Sequence, residues 1–280
     1  MFSAVSAIAR VFRTPDLRRK IFFTLAIIAI YRLGAHVPAP FVSFPNVQSC
    51  LQQTGSASEG LLSLVNLFSG GALLQLSIFA LGVMPYITAT IIVQLLRVVI
   101  PHFEALYKEG QAGQAKLTQY TRYLTIALAL LQSTTLVTVA RSGQLFGRTG
   151  IAECNALLTN DVWWAQLLMI ITLTAGTGLI MWFAELVTER GVGNGMSILI
   201  FTSIAATFPV AMWSIAQSRN FETFLLVLAV GILVMGLVVF VEQSQRRIPV
   251  QYAKRMVGRR TLGGTNTYIP IKVNMAGVVP

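Results

Sequence analysis

The sequence predicts an all-α, polytopic helical membrane protein. Three observations lead there. Apolar residues fill 55% of the 280 positions and charged ones only 11%, against roughly a quarter charged in a soluble domain. The apolar residues gather in blocks near the ~20 residues that a helix needs to cross hydrocarbon. Basic residues, finally, concentrate in alternate connections between those blocks and account for the net charge of +11. A soluble fold of this size cannot bury so many helices that are apolar on every side.

Six complete spans are expected, over 21–40, 72–100, 120–140, 162–184, 196–216 and 221–241. A seventh begins near Val273, and the expectation is a chain cut short inside it at Pro280. The N-terminus carries Arg10, Arg13, Arg18, Arg19 and Lys20, and no A-x-A-like cleavage site closely follows the first apolar block. That block therefore reads as a retained span rather than a signal peptide.

Orientation follows from the basic residues. With the N-terminus inside, 17 Lys and Arg lie on the inner side against three (Arg141, Arg148 and Arg219) on the outer, with Arg32 within the first span. This asymmetry also explains the basic character of the chain without a nucleic-acid partner.

Two connections are unusual. Residues 60–71 form an apolar helix candidate about half a bilayer long at ~1.5 Å per residue, stopped by Gly70-Gly71. A helix lying flat in the outer interface and a re-entrant half-helix lining a protein cavity both fit this pattern. The inner connection 242–272 has apolar alternation at 248–252 and 268–271 around the turn-rich 261–266, which predicts a protruding hairpin-like arm. Six of the fifteen residues from Arg246 to Arg260 are Lys or Arg. Such a cluster suits anionic lipid, an acidic partner or RNA phosphate.

No constellation of catalytic groups stands out, and no metal or cofactor site is expected. Glu185 and Glu189 fall at the inner end of the fourth span beside Arg190 and read as a solvated helix end. His36 and His102 belong to opposite membrane faces. The run Gly191-Val192-Gly193-Asn194-Gly195 follows a membrane helix rather than a strand and lacks phosphate-loop spacing, so a tight inner turn is expected. Cys50 and Cys154 lie in loops; they either pair outside the cell or remain two thiols, and the latter is expected.

Arg32 is the charge deepest in a span, with an outward snorkel past Gly34 as its expected escape. No carboxylate sits mid-membrane, which disfavours a proton- or sodium-coupled carrier. Pro85 is expected to kink the second span near its middle, leaving Val83 and Ile87 on one face.

Several blocks, in order, resemble the SecY family, the pore subunits of the bacterial protein-conducting channel. They are Asn66-Leu67-Phe68-Ser69-Gly70-Gly71-Ala72-Leu73, Ser77-Ile78-Phe79-Ala80-Leu81-Gly82-Val83-Met84-Pro85-Tyr86-Ile87, Lys108-Glu109-Gly110, Gln119-Tyr120-Thr121-Arg122-Tyr123, Thr188-Glu189-Arg190-Gly191-Val192-Gly193-Asn194-Gly195, Gln245-Arg246-Arg247-Ile248-Pro249-Val250-Gln251-Tyr252-Ala253-Lys254-Arg255, and Lys272-Val273-Asn274-Met275-Ala276-Gly277.

The resemblance implies a ten-span pore of two pseudo-symmetric halves, gated laterally toward lipid. Residues 1–216 would be the first five-helix half, and 217–280 the sixth span, the arm and the start of the seventh. Leu61, Leu62, Ser63, Leu64, Val65, Asn66, Leu67, Phe68, Ser69, Gly70 and Gly71 would form a re-entrant plug. Val83, Ile87 and Ile200 would belong to an aliphatic pore ring. Arg246, Arg247, Lys254, Arg255, Arg259 and Arg260 would dock the SecA motor ATPase or the ribosome. SecE and SecG are the implied membrane partners, and a translocating polypeptide with its signal sequence the cargo. The implied setting is the bacterial plasma membrane, multi-pass, with the N-terminus cytoplasmic. The alternative is a secondary solute transporter with broken helices; a membrane enzyme ranks third.

Overall fold

Proline and glycine mark several of the helix boundaries. The computed structural model describes residues 14–54, 66, 68–142, 145, 157–159, 162–218, 221–250, 255–257, 260–262 and 267–272. Helices α1 (Pro15–Gly34), α2 (Phe44–Thr54), α3 (Met84–Val99), α4 (Pro101–Lys108), α5 (Gln111–Arg141), α6 (Trp163–Arg190), α7 (Gly195–Ser218) and α8 (Phe221–Gln243) precede four strands. Pro15, Pro85 and Pro101 each occupy the first turn of their helix, where a missing N–H costs nothing. Ile100 is extended, as the residue before a proline tends to be, and α3 and α4 meet there at 99°.

Helices α5, α6, α7 and α8 are long and apolar enough to cross a membrane, and the bent pair α3–α4 adds a fifth if it counts as one span. They match the expected spans at 120–140, 162–184, 196–216 and 221–241, although α5 starts nine residues earlier. Among the described residues, length and composition thus pick out four or five of the six expected spans. Helix α1 falls short because Asp16, Arg18, Arg19, Lys20 and Arg32 dilute its apolar run, and it stops at Gly34 rather than near residue 40. The expected start of a seventh span, from Val273, lies outside the described residues.

The expected second span, 72–100, is corrected. Only Met84–Val99 is helical; residues 70–83 are a succession of turns. Gly70, Gly71, Leu76 and Gly82 all have positive φ, which no continuous right-handed helix allows. Pro85 thus begins a helix instead of kinking one.

Small residues let α5 and α6 approach closely. On α5 the buried positions recur every fourth residue, through Gly113, Leu117, Thr121, Thr125, Ala129, Ser133 and Val137. From α6, Met169 and Leu173 join Ala129, Leu136 and Val137 of α5 in one buried cluster, a Cβ on Gly178 would lie 3.6 Å from Ile126 of α5, and Ser133 Oγ lies 3.2 Å from Thr174 Oγ1. Close backbone contact and interhelical hydroxyl bonds are what hold helices together in lipid, where apolar burial drives little.

The chain divides into two compact units, 1–209 and 210–279. The second holds α8 and the arm, where β1 (Gln245–Val250) pairs antiparallel with β4 (Thr267–Lys272), and β2 (Arg255–Val257) with β3 (Arg260–Leu262). Ile248 faces Ile269 and Arg247 faces Pro270, which is the expected hairpin-like arm. Its tip differs. Arg255 pairs with Leu262 and Val257 with Arg260, so the turn-like Thr261-Leu262 is strand.

At one end of the first unit, the segment after α1 docks on the connection between α5 and α6. Ser43 N donates to Leu157 O and Thr159 N to Phe41 O, both at 2.9 Å. Val47, Cys50, Leu145 and Leu157 form one buried cluster with Leu136 and Val137 of α5. Cys50 is disulfide-bonded, which corrects the expectation of two thiols; the other cysteine of the sequence, Cys154, lies outside the described residues. Substitution of Cys50 by Ala is expected to lower unfolding stability by about 2–4 kcal/mol. Thermal unfolding in detergent checks this, and maleimide labelling of the parent protein should require prior reduction.

Candidate functional site

The first unit is organised around the turns at 70–83. Here the chain leaves helical geometry between membrane helices, where unpaired backbone groups cost several kcal/mol each. The hydrogen bonds show how this is met. Gly71 N donates to Asn66 O, Leu73 N to Ser69 Oγ and Leu74 N to Asn66 Oδ1. Leu76 N reaches Leu73 O, Ser77 N reaches Ala72 O, Ala80 N reaches Ser77 O and Gly82 N reaches Phe79 O. The segment beyond α1 completes the set: Ala39 N donates to Leu76 O, and Ile78 N to Val37 O, at 2.9 and 3.0 Å. Ala72, Leu73, Leu76, Ser77, Phe79, Ala80, Leu81 and Val83 are buried, so this irregular backbone is walled in by protein.

Glycines elsewhere make room for it. A Cβ on Gly34 of α1 would overlap the Phe79 ring, and one on Gly176 of α6 would overlap the Ile78 carbonyl.

Val83, Ile87 and Ile200 meet in one apolar cluster that also holds Ile27, Tyr31, Phe79, Ile180 and Leu199. Val83 is fully buried, Ile200 is 8% exposed and Ile87 is half-buried. Phe68 packs against the same cluster. Of the expected plug, Asn66 and 68–71 are described, and 66, 68 and 69 are helical; Leu61, Leu62, Ser63, Leu64, Val65 and Leu67 lie outside the described residues.

Polar groups border this cluster. Tyr31 of α1 stacks on Phe79 with centroids 5.9 Å apart, and its hydroxyl lies 2.8 Å from Ser203 Oγ of α7. Arg32 does not snorkel outward past Gly34. Its Nη1 donates to Gly70 O at 3.3 Å.

At the other end of α6, Gly191–Gly195 is the expected tight turn. Thr24 Oγ1 of α1 accepts from Val192 N, Thr188 Oγ1 accepts from Gly195 N, and Asn194 Oδ1 caps α7 at Met196 N. Glu185 is not simply a solvated helix end, because it takes two hydrogen bonds from Arg122 of α5, at 2.7 and 2.8 Å. That pair, 63 residues apart, carries no sequence signal. Between α3, α4 and α5 a cavity of about 220 Å³ is lined by Tyr86, Gln94, Arg97, Tyr107 and Gln114, with the Arg97 guanidinium 4.1 Å over the Tyr107 ring. Beside it, the Lys108 ammonium hydrogen-bonded to Glu104 holds that carboxyl below its usual range. Among the described residues no group of three His, Cys, Asp or Glu is placed to hold a metal.

The arm distributes its cations unevenly. Arg246 and Arg247 stand on β1, with the Arg247 guanidinium 4.8 Å over the Tyr268 ring. Arg255 and Arg260 take register positions on β2 and β3, and Lys254 and Arg259 lie outside the described residues.

Apolar helices gathered around a protein-walled stretch of non-helical backbone define a polytopic membrane protein of the channel and carrier class. The SecY family model matches residues 77–280, and the chain belongs to that family. Protein translocase subunit SecY of Streptomyces scabiei is 61% identical over 280 residues, which is 99% of this chain and 63% of that protein. The chain thus spans about 63% of the length of this relative. Among solved structures, a SecY channel described by its plug domain, which stabilises the closed state and maintains a membrane seal, aligns with a TM-score of 0.57 at 17% identity, over 91% of this chain and 52% of that one. Sec61 in a canine ribosome–channel complex from the endoplasmic reticulum aligns at 0.55 and 17%, over 88% and 53%. These structures share its fold.

Gly82 gives a direct test of the site's packing. It has φ +56°, and a Cβ there would lie 3.2 Å from Ser69 Cα. Gly82→Val is expected to lower unfolding stability by about 1–3 kcal/mol, read from the thermal midpoint in detergent, whereas Gly231→Val in α8, where a Cβ meets nothing within 4 Å, should leave the midpoint nearly unchanged.

Proposed function

We propose that this chain supplies the first half of the pore of a protein-conducting channel. Such a channel passes secretory polypeptides across the bacterial plasma membrane and releases membrane segments sideways into lipid. The observation that carries the proposal is that Val83, Ile87, Ile200 and Phe68 share one apolar cluster in a SecY-family chain. A conduit for arbitrary sequences cannot hold specific hydrogen-bonding sites, since each would trap some cargo. Aliphatic side chains offer a deformable seal that dewets when empty and closes around a passing chain. Residues 61–71 would block the outer funnel at rest; in the related SecY channel the plug domain stabilises the closed state and maintains a membrane seal.

The chain is a channel component rather than an enzyme, so the work must come from outside it. The arm, with Arg246, Arg247, Lys254, Arg255, Arg259 and Arg260, would dock SecA or the ribosome, as Sec61 meets a ribosome in the related complex. SecE and SecG would complete the assembly in the membrane, and an apolar signal sequence would open the lateral gate by partitioning toward lipid. Residues 1–216 would form one five-helix half with its plug, and 217–280 would begin the second. A cytoplasmic N-terminus agrees with the inner concentration of Lys and Arg. It agrees too with the disulfide at Cys50, because this orientation puts the segment after α1 on the oxidising side.

A photocrosslinker at Val83 or Ile87 of the family-length channel should form an adduct with a stalled secretory precursor; persistent solute flux without any adduct would point to a carrier instead. On the arm, Arg255→Asp with Arg259→Asp should weaken SecA or ribosome binding by roughly tenfold or more. Co-sedimentation with anionic vesicles should change much less, and an equal loss on both would assign the cluster to lipid.

A further inference from the structure

We propose that the cavity between α3, α4 and α5 binds the headgroup of an anionic phospholipid, a phosphodiester that carries a polyol. The site goes beyond the pore reading and does not depend on it.

The local fold builds the site. Helix α3 ends at Val99, and the extended Ile100 turns α4 away from it by 99°. Leu106 of α4 joins Val93 of α3 and Leu117 of α5 in one buried cluster, which fixes the three helices against one another. The bend brings Tyr107 back to the end of α3, where its ring centroid lies 4.1 Å from the Arg97 guanidinium. Gln94 and Arg97 of α3, Tyr107 of α4 and Gln114 of α5 line the resulting cavity of about 220 Å³. Such a volume holds about seven waters at ~30 Å³ each, which is the scale of a phosphodiester with a short polyol and too small for a peptide helix.

The lining selects the ligand. Among the described residues Arg97 has no acidic partner, and the carboxylates of Glu104 and Glu109 are taken by Lys108 and Lys116. The Tyr107 ring covers one face of the guanidinium and leaves its fork of N–H donors for two phosphate oxygens. The side-chain amides of Gln94 and Gln114 also lack a hydrogen-bond partner among the described residues. An amide both donates and accepts, as a polyol hydroxyl does. No carboxylate stands among the lining residues to hold the ammonium of a zwitterionic headgroup.

Beside the cavity, Ile91, Leu95 and Val98 are 38%, 63% and 80% exposed. Spaced by four and three, they form one apolar lane down α3, and it ends level with Arg97. Acyl chains lying in this lane put their phosphate at the guanidinium. Cation-bearing pockets between membrane helices suit lipid headgroups for this reason, and a soluble phosphate makes no use of the lane.

The test is native mass spectrometry of the family-length channel in detergent, with phosphatidylglycerol, phosphatidylmethanol and phosphatidylethanolamine supplied in equal amounts. Arg97→Gln should lower retained phosphatidylglycerol about tenfold with phosphatidylethanolamine unchanged, and Arg97→Lys, which keeps the charge but loses the fork, should fall between. Gln94→Ala with Gln114→Ala should lower phosphatidylglycerol about threefold and leave phosphatidylmethanol, which has the charge but no polyol, unchanged. Unchanged phosphatidylglycerol in Arg97→Gln overturns the site, and so does an equal loss of all three lipids. Equal loss of both anionic lipids in the amide variant overturns the polyol. Displacement of the lipid by millimolar glycerol 3-phosphate or inorganic phosphate assigns the cavity to a soluble phosphate, and displacement by the channel's membrane partners assigns it to protein; either result overturns the lipid. Thermal midpoints identify any variant that loses lipid by misfolding, and the Arg97→Lys and amide variants then carry the comparison.

Discussion

Backbone that abandons the helix inside a membrane must find a partner for every amide it exposes, and the first unit is built to meet this requirement at residues 70–83. Asn66 and Ser69 supply side-chain acceptors from one side. The Val37–Ala39 strand-like segment supplies donor and acceptor from the other. The remainder of the bonds close within the turns. This also explains why α1 ends early at Gly34: a longer helix would remove the extended backbone that Ala39 and Val37 offer to Leu76 and Ile78. Leu76 tolerates a φ of +46° in the same setting, where a fully buried side chain and an engaged carbonyl over-determine its conformation.

The surrounding helices answer to the same demand. Gly34 and Gly176 are the places where α1 and α6 press onto Phe79 and Ile78, so the irregular segment is enclosed by backbone brought close rather than by bulky side chains. An apolar cluster and the Arg32–Gly70 hydrogen bond then sit close to each other. The arm obeys different rules, since its β1–β4 ladder carries mostly exposed side chains and its sequence concentrates positive charge.

Legibility followed the length of each signal. Helices α5 to α8 were readable to within a few residues, apart from the early start of α5, because each is a long apolar block with polar ends. The second span misled, because residues 72–83 are as apolar as a helix; only Gly82, three residues ahead of Pro85, hinted at a helix starting afresh. Helix α2, short and carrying Pro45, gave no usable pattern. The arm was legible from its period-two alternation, but its tip was not, since Thr261–Asn266 has turn composition while register depends on pairing partners elsewhere. For the site, spacing put Val83 and Ile87 on one face, but their assignment to a ring, like that of Ile200, came only from the family resemblance. The Arg122–Glu185 pair, the Arg32–Gly70 bond and the disulfide at Cys50 join residues distant in sequence, and nothing local announces them.

The guanidinium of Arg32 has five N–H donors in a planar fork, and the Gly70 carbonyl engages one of its nitrogens among the described residues. A half-buried cation so placed must be hydrated on its remaining edge, because a dry, partly paired charge at this depth would cost far more than the bond returns. Val83, in the same apolar cluster as Phe79 and Tyr31, is by contrast fully buried. A polar contact and a dry apolar one therefore stand side by side in the first unit, the Arg32–Gly70 bond next to the cluster that buries Val83.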